Sequence, residues 1–173
     1  MEWMANHLAD VYSSVLTRAS IGPTLSTISL ITNIIFTLNV LWFGVAFRYF
    51  SLTPDTAARL LVPKSARESP LFSTVSASVR FLGGMNFAFA AFALLLLLNR
   101  GLFPEAKQVA LFAAVFSIAH ASQFAFNVPV ALGGGRKGES LWPVLTGPMF
   151  FIFATDFTLM IANGVLAAFL LVA

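Results

Sequence analysis

No cysteine occurs anywhere in this chain of 173 residues. That excludes disulfides, thiolate metal sites and thiol nucleophiles together. Charge is scarce as well: Asp, Glu, Lys and Arg make up 10% of the residues, against about 25% in a soluble domain. Too little polar surface remains to face water on every side. Catalytic signatures are also missing. There is no GxSxG nucleophile elbow, and the basic stretch GGGRKG beginning at Gly133 lacks the GxxxxGK[ST] spacing of a phosphate loop, with no strand expected before it. It reads as a flexible, basic turn. Histidine and acidic residues are too few inside the apolar runs for a metal site. One imidazole and one carboxylate fall short of the three protein ligands of a catalytic zinc and of the several carboxylates of a di-iron bundle. No metal and no cofactor are expected.

What the chain does have is apolar: 58% of residues are hydrophobic, 19 of them Phe, and the mean hydropathy is +0.87. The formal charge of +3 comes from basic residues scattered between apolar runs. They form no stripe interleaved with aromatics, so nucleic acid is not an expected partner; anionic lipid headgroups are. Four runs reach the ~20 residues needed to cross the hydrocarbon as a helix, at about 25–47, 74–98, 107–132 and 144–172. They are continuous and lack the two-residue alternation of barrel strands. The fold class expected is therefore all-α, a polytopic membrane protein with four transmembrane helices in one bundle over residues 22–173. Ahead of it, residues 1–21 lack the basic start and compact apolar centre of a secretory signal. Trp3, Met4, Leu8, Val11, Tyr12, Val15 and Leu16 recur there at helical spacing, which predicts an amphipathic helix lying in the membrane interface. Between the first two spans, Thr53 can cap and Pro54 can open a short helix whose Leu60, Leu61 and Val62 lie on the membrane. Arg48, Arg59, Lys64, Arg67, Arg136 and Lys137 fall on one side, and Arg18, Arg100 and Lys107 on the side holding both termini. By the positive-inside rule the termini are non-cytoplasmic.

Polar groups inside the spans mark where function would reside. A charge at mid-helix costs roughly 2.5–3.5 kcal/mol on insertion scales, so it turns inward and finds a partner. Arg80 is the basic residue inside a span and Asp156 the acidic one, at matching predicted depth, which predicts an Arg80–Asp156 ion pair. Ser117, His120, Gln123 and Asn127 form one stripe down the third span. Asp156 and Asn163 share a face of the fourth, as Thr32 and Asn39 do of the first. In the second span, SVRFLGGMN runs from Ser78 to Asn86, and its Gly83 and Gly84 would allow a close approach of a helix or ligand. The candidate intramembrane network or ligand site is thus Asn39, Arg80, Asn86, His120, Gln123, Asn127, Asp156 and Asn163. His120 and Asp156 are the candidates for acid–base work.

SARESPLFSTVSASVRFLGGMN followed by FSIAHASQF resembles small four-helix membrane families, the ergosterol-biosynthesis scaffold family and the DoxX-type proteins. In these an Arg and glycines open the second span and a His lies in the third. The resemblance covers roughly the second and third spans. Where the scaffold family has an acidic residue shortly after its His, this chain has Gln123, so no activity is carried over. The resemblance implies an accessory protein holding enzymes or lipid-like substrates together. Three functions follow as expectations: a non-enzymatic accessory or scaffold subunit with protein partners in the membrane, an enzyme acting on an apolar lipid, sterol or terpenoid, and a proton-linked transporter or channel working as an oligomer. An apolar small-molecule ligand is compatible with the first two.

Overall fold

The computed structural model describes residues 25–134 and 142–172. Four long helices dominate it: α1 (Leu25–Phe47), α3 (Leu71–Leu98), α4 (Ala106–Leu132) and α5 (Gly147–Val172), with a short α2 (Pro54–Leu61) between the first two. No strand occurs among the described residues. Each long helix is long and apolar enough to cross a membrane, and the chain is a multi-pass, all-α membrane protein. The amphipathic segment expected over residues 1–21, and Arg136 and Lys137 of the basic turn, lie outside the described residues. By its contacts the chain divides into residues 1–32 and 33–173. Of the first, residues 25–32 form the opening turns of α1, where the Thr32 hydroxyl donates to the Ile28 carbonyl (2.8 Å). The remaining description concerns the second.

Local chemistry sets the helix ends. α4 starts at Ala106 because Glu105 and Gln108 form a capping box: the Glu105 side chain accepts from the Gln108 amide, and the Gln108 side chain accepts from the Glu105 amide. The second span begins three residues before its expected start. Pro70 supplies the preceding turn, and the Ser69 hydroxyl accepts from the Leu71 amide. The fourth begins three residues late. Val144 sits in a turn, and Gly147, at φ +58°, makes a left-handed break that an L side chain would resist; Pro148 follows it in the first helical turn.

The buried side chains are mostly Ala, Leu and Val, with Phe36, Phe43 and Phe116 as the large ones, and aromatic pairs join the helices. Phe36 meets Phe116 edge-on (5.4 Å between centroids), Phe43 stacks on Phe89 (5.1 Å), and Phe92 meets Phe112 edge-on (5.6 Å). Such pairs each add about 0.5–1.5 kcal/mol beyond their burial. Phe81, Ile118, Phe126 and Val165 point outward, as suits a surface solvated by lipid.

The segment after α1 departs from expectation. α1 runs into a wide π-type turn over Arg48–Leu52. Pro54 does open α2, but Thr53 does not cap it: its hydroxyl turns back and donates to the Tyr49 carbonyl (3.1 Å). α2 turns part of its apolar side onto the bundle. Pro54, Ala57 and Ala58 are buried, and Ser76 of α3 donates to the Asp55 carboxylate, which ties α2 onto the bundle. Arg67 closes the other end, donating to the carbonyls of Val62 (3.0 Å) and Arg59 (2.6 Å), where a cation also suits the helix dipole. Arg67→Ala is expected to destabilise this end by about 1–2 kcal/mol, read as faster hydrogen exchange over residues 54–62 with the long helices unchanged.

Candidate functional site

Three helices bring polar side chains to one point. Asn39 and Trp42 are three apart on α1, His120 is on α4, and Asp156 and Asn163 are seven apart on α5, so each set shares a helix face. His120 Nδ1 is 2.9 Å from Asp156 Oδ1. His120 Nε2 is 2.9 Å from Asn39 Oδ1. The Trp42 indole donates to Asp156 Oδ1 (2.9 Å). Asn39 and Asn163 exchange amide hydrogen bonds, at 2.9 and 3.2 Å. Phe43 stacks flat on the imidazole, 4.5 Å between centroids. Asn39, His120, Asp156 and Asn163 are all fully buried.

The hydrogen-bond pattern fixes the protons. Asn39 Nδ2 also donates to the Ile35 carbonyl (3.0 Å) and Asn163 Nδ2 to the Leu159 carbonyl (2.8 Å). Flipping either amide would set oxygen against oxygen, so Asn39 Oδ1 must accept and His120 Nε2 must carry a hydrogen. Nδ1 and Oδ1, 2.9 Å apart, then need one proton between them, since two bare acceptors at that distance repel. Wherever that proton sits, imidazole and carboxyl together carry no net charge. The arrangement leaves one gap: Asp156 Oδ2 is buried and has no hydrogen-bond partner among the described residues.

Beside Asp156 is a chamber of about 360 Å³ whose wall includes Leu60 and Leu61 of α2, Gln123 and Asn127 of α4, Trp142 and Asp156. Its size falls within the usual range of small-molecule sites. The Trp142 indole donates to Asn127 Oδ1 (2.9 Å). Asn127 Nδ2 donates to the Gln123 carbonyl (2.9 Å). Gln123 makes no side-chain hydrogen bond to another described residue, which leaves its amide available to the chamber.

The expected Arg80–Asp156 pair does not form. Arg80 is exposed, and among the described residues the ion pair of Asp156 is with His120. The buried stripe of α3 runs through Ser76, Val79, Gly83 and Asn86. Arg80 lies one residue, about 100°, beyond Val79, which aims it off that stripe toward lipid, where its stem can carry the guanidinium to the headgroups. Asn86 is buried as expected but stands apart: it donates to the Leu82 carbonyl (2.8 Å), and its Oδ1 has no partner among the described residues. The stripe expected on α4 divides in use, with Ser117 binding the Met160 carbonyl of α5 (2.8 Å), His120 in the buried network, and Gln123 and Asn127 at the chamber. Trp42 was not anticipated, although its place three residues after Asn39 puts it on the same face. Among the described residues no third metal-ligating side chain joins His120 and Asp156.

These features define a class, a four-helix multi-pass membrane protein with a neutral His–Asp pair buried beside a small chamber. The chain matches no family model, no curated protein and no solved structure.

Proposed function

We propose that this chain is a non-enzymatic accessory protein of its membrane that binds a small, mostly apolar molecule in the chamber beside Asp156. The observation that carries the reading is the chamber bordered by Asp156, whose buried Oδ2 has no hydrogen-bond partner among the described residues. Leaving such a group unsatisfied costs about 1–3 kcal/mol, which a bound donor would recover. The resemblance to scaffold proteins points the same way, and so does the absence of a catalytic set. Proteins that hold lipid-like molecules for other membrane proteins have this need for a site without chemistry. The basic residues Arg48, Arg59, Lys64 and Arg67 are assigned to the cytoplasmic side and both termini to the other.

An acid–base enzyme is the second reading, favoured by the hydrogen bond between His120 and Asp156. The geometry restricts it sharply. Both ring nitrogens of His120 are engaged inside the network, so the imidazole cannot itself touch a substrate. Asp156 Oδ2 would be the single proton acceptor, with His120 positioning it.

The deciding measurement is native mass spectrometry and extraction of small molecules from protein purified in mild detergent. Wild type is expected to retain a small molecule near one equivalent, and Asp156→Asn, compared at a temperature where it remains folded, to retain about tenfold less or below. Equal retention by both proteins, or none by wild type, would refute binding at Asp156. Chemical conversion of the retained molecule, lost in Asp156→Asn, would replace the accessory reading with the enzymatic one.

A further inference from the structure

We infer that the occupant is a single-chain amphiphile with a neutral hydroxyl head, which reaches Asp156 sideways from the bilayer between α1 and α5. This rests on the binding reading above and adds the ligand's chemistry and its route. Three cavities adjoin one another. The chamber at Asp156 shares Phe50, Leu60, Gln123 and Ile152 with a side pocket of about 180 Å³. That pocket in turn shares Trp42, Val45 and Phe151 with a groove of about 510 Å³. The groove is walled by Leu38, Leu41 and Val45 of α1 and by Phe151, Ala154 and Thr158 of α5, and Leu38, Leu41, Val45 and Phe151 are exposed on the lipid-facing surface. Through these shared residues the lipid-facing groove, the side pocket and the chamber bordered by Asp156 form one apolar series.

Charge selects the head group. Oδ2 is an acceptor wherever the proton shared by Nδ1 and Oδ1 sits, so the ligand must donate. The His–Asp pair is already neutral. A hydroxyl completes Oδ2 and keeps the site neutral, whereas an ammonium would bring an uncompensated charge into a low-dielectric interior. The Gln123 amide lies on the wall of both chamber and side pocket and is a second polar group there. Moving an alkyl tail from lipid to an apolar groove gains little, because lipid is as apolar as the groove. Recognition therefore resides in the head, and the side pocket serves as the passage and limits the tail to one narrow chain.

The test uses the full chain in phosphatidylcholine nanodiscs and a hexadecanol probe bearing a mid-chain diazirine. Photolabelling is expected on α1 and α5 along the groove. Excess hexadecanol should displace the probe, while hexadecyl methyl ether, which cannot donate, and hexadecylammonium should do so at least about tenfold less well. Ala46→Trp, which fills the side pocket beside Trp42, should lower labelling by a similar factor. Labelling scattered over all lipid-facing helices, or equal competition by the ether, overturns the inference, and this readout on wild type holds even if the Trp variant fails to fold. If the small molecule retained in detergent is lost in Asp156→Asn but kept in a folded Ala46→Trp, the sideways amphiphile is wrong while the chamber still binds. If Asp156→Asn retains it too, both readings fall.

Discussion

His120→Leu is expected to destabilise the protein by about 3–5 kcal/mol, the size seen when one member of a buried pair is removed. Two hydrogen bonds disappear at once, to Asp156 Oδ1 and to Asn39 Oδ1. Oδ2 is already unpartnered, so the carboxyl group would keep only the Trp42 indole. The cost comes less from the lost bonds than from what is stranded. Polar contacts between membrane helices average only about 0.6 kcal/mol each, because the unfolded chain in lipid also finds partners. A carboxyl buried without its counterpart keeps a single donor, too few for its two oxygens. Removing both partners should therefore be milder than removing one, and His120→Leu with Asp156→Val is expected to recover most of the loss. His120→Gln keeps one donor and should fall between. Thermal midpoints in mild detergent across this double-mutant cycle report the coupling directly. Additive losses, with the double variant the least stable, would show that the pair does not act as a unit.

The fold was readable in the sequence where the signal is long and redundant. Twenty or more largely apolar residues leave a backbone in lipid little choice but helix, so the four spans appear where expected and only their ends shift. Those shifts, at Leu71 and Gly147, come from turns whose single-residue chemistry is weaker than the hydropathy around them. The site was readable in part. Spacings of three, four and seven identify Asn39, His120, Asp156 and Asn163 as inward-facing, and the structure joins all four. Spacing along one helix cannot say which face meets which neighbour. The Arg80–Asp156 pairing was therefore drawn from charge and depth alone, while the turn of α3 points Arg80 away from the interior. Trp42 escaped notice because an indole in an apolar run reads as core, although its N–H needs an acceptor when it is drawn inward. The contribution of α2 to the chamber was hidden for a different reason. Eight residues with an apolar side look the same whether that side rests on lipid or on protein, and the bond from Ser76 to Asp55 that decides between them is long-range.

Gly83→Ala provides the second large effect, and it acts on the chamber from outside. A Cβ at Gly83 would lie 2.6 Å from the backbone nitrogen of Ser51, 2.9 Å from its Cβ and 2.1 Å from its hydroxyl oxygen. The hydroxyl could rotate away, at the loss of its bond to the Arg80 carbonyl (3.2 Å). The backbone nitrogen cannot, so the turn over Arg48–Leu52 must move off α3. α2 follows that turn directly and carries Leu60 and Leu61 to the chamber wall. The substitution is expected to destabilise by about 1–3 kcal/mol, as overpacking does, and to lower occupancy of the chamber although Gly83 does not line it. Its neighbour is the control. A Cβ at Gly84 meets nothing within 4 Å, so Gly84→Ala should be neutral or stabilise α3 by roughly 0.5–1 kcal/mol through helix propensity. Thermal midpoints, hydrogen exchange over residues 54–62 and retention of the bound molecule separate the two variants. If Gly83→Ala matches Gly84→Ala in all three, the close approach of the turn to α3 does not hold α2 over the chamber, and α2 must be held there chiefly by Asp55 and Ser76.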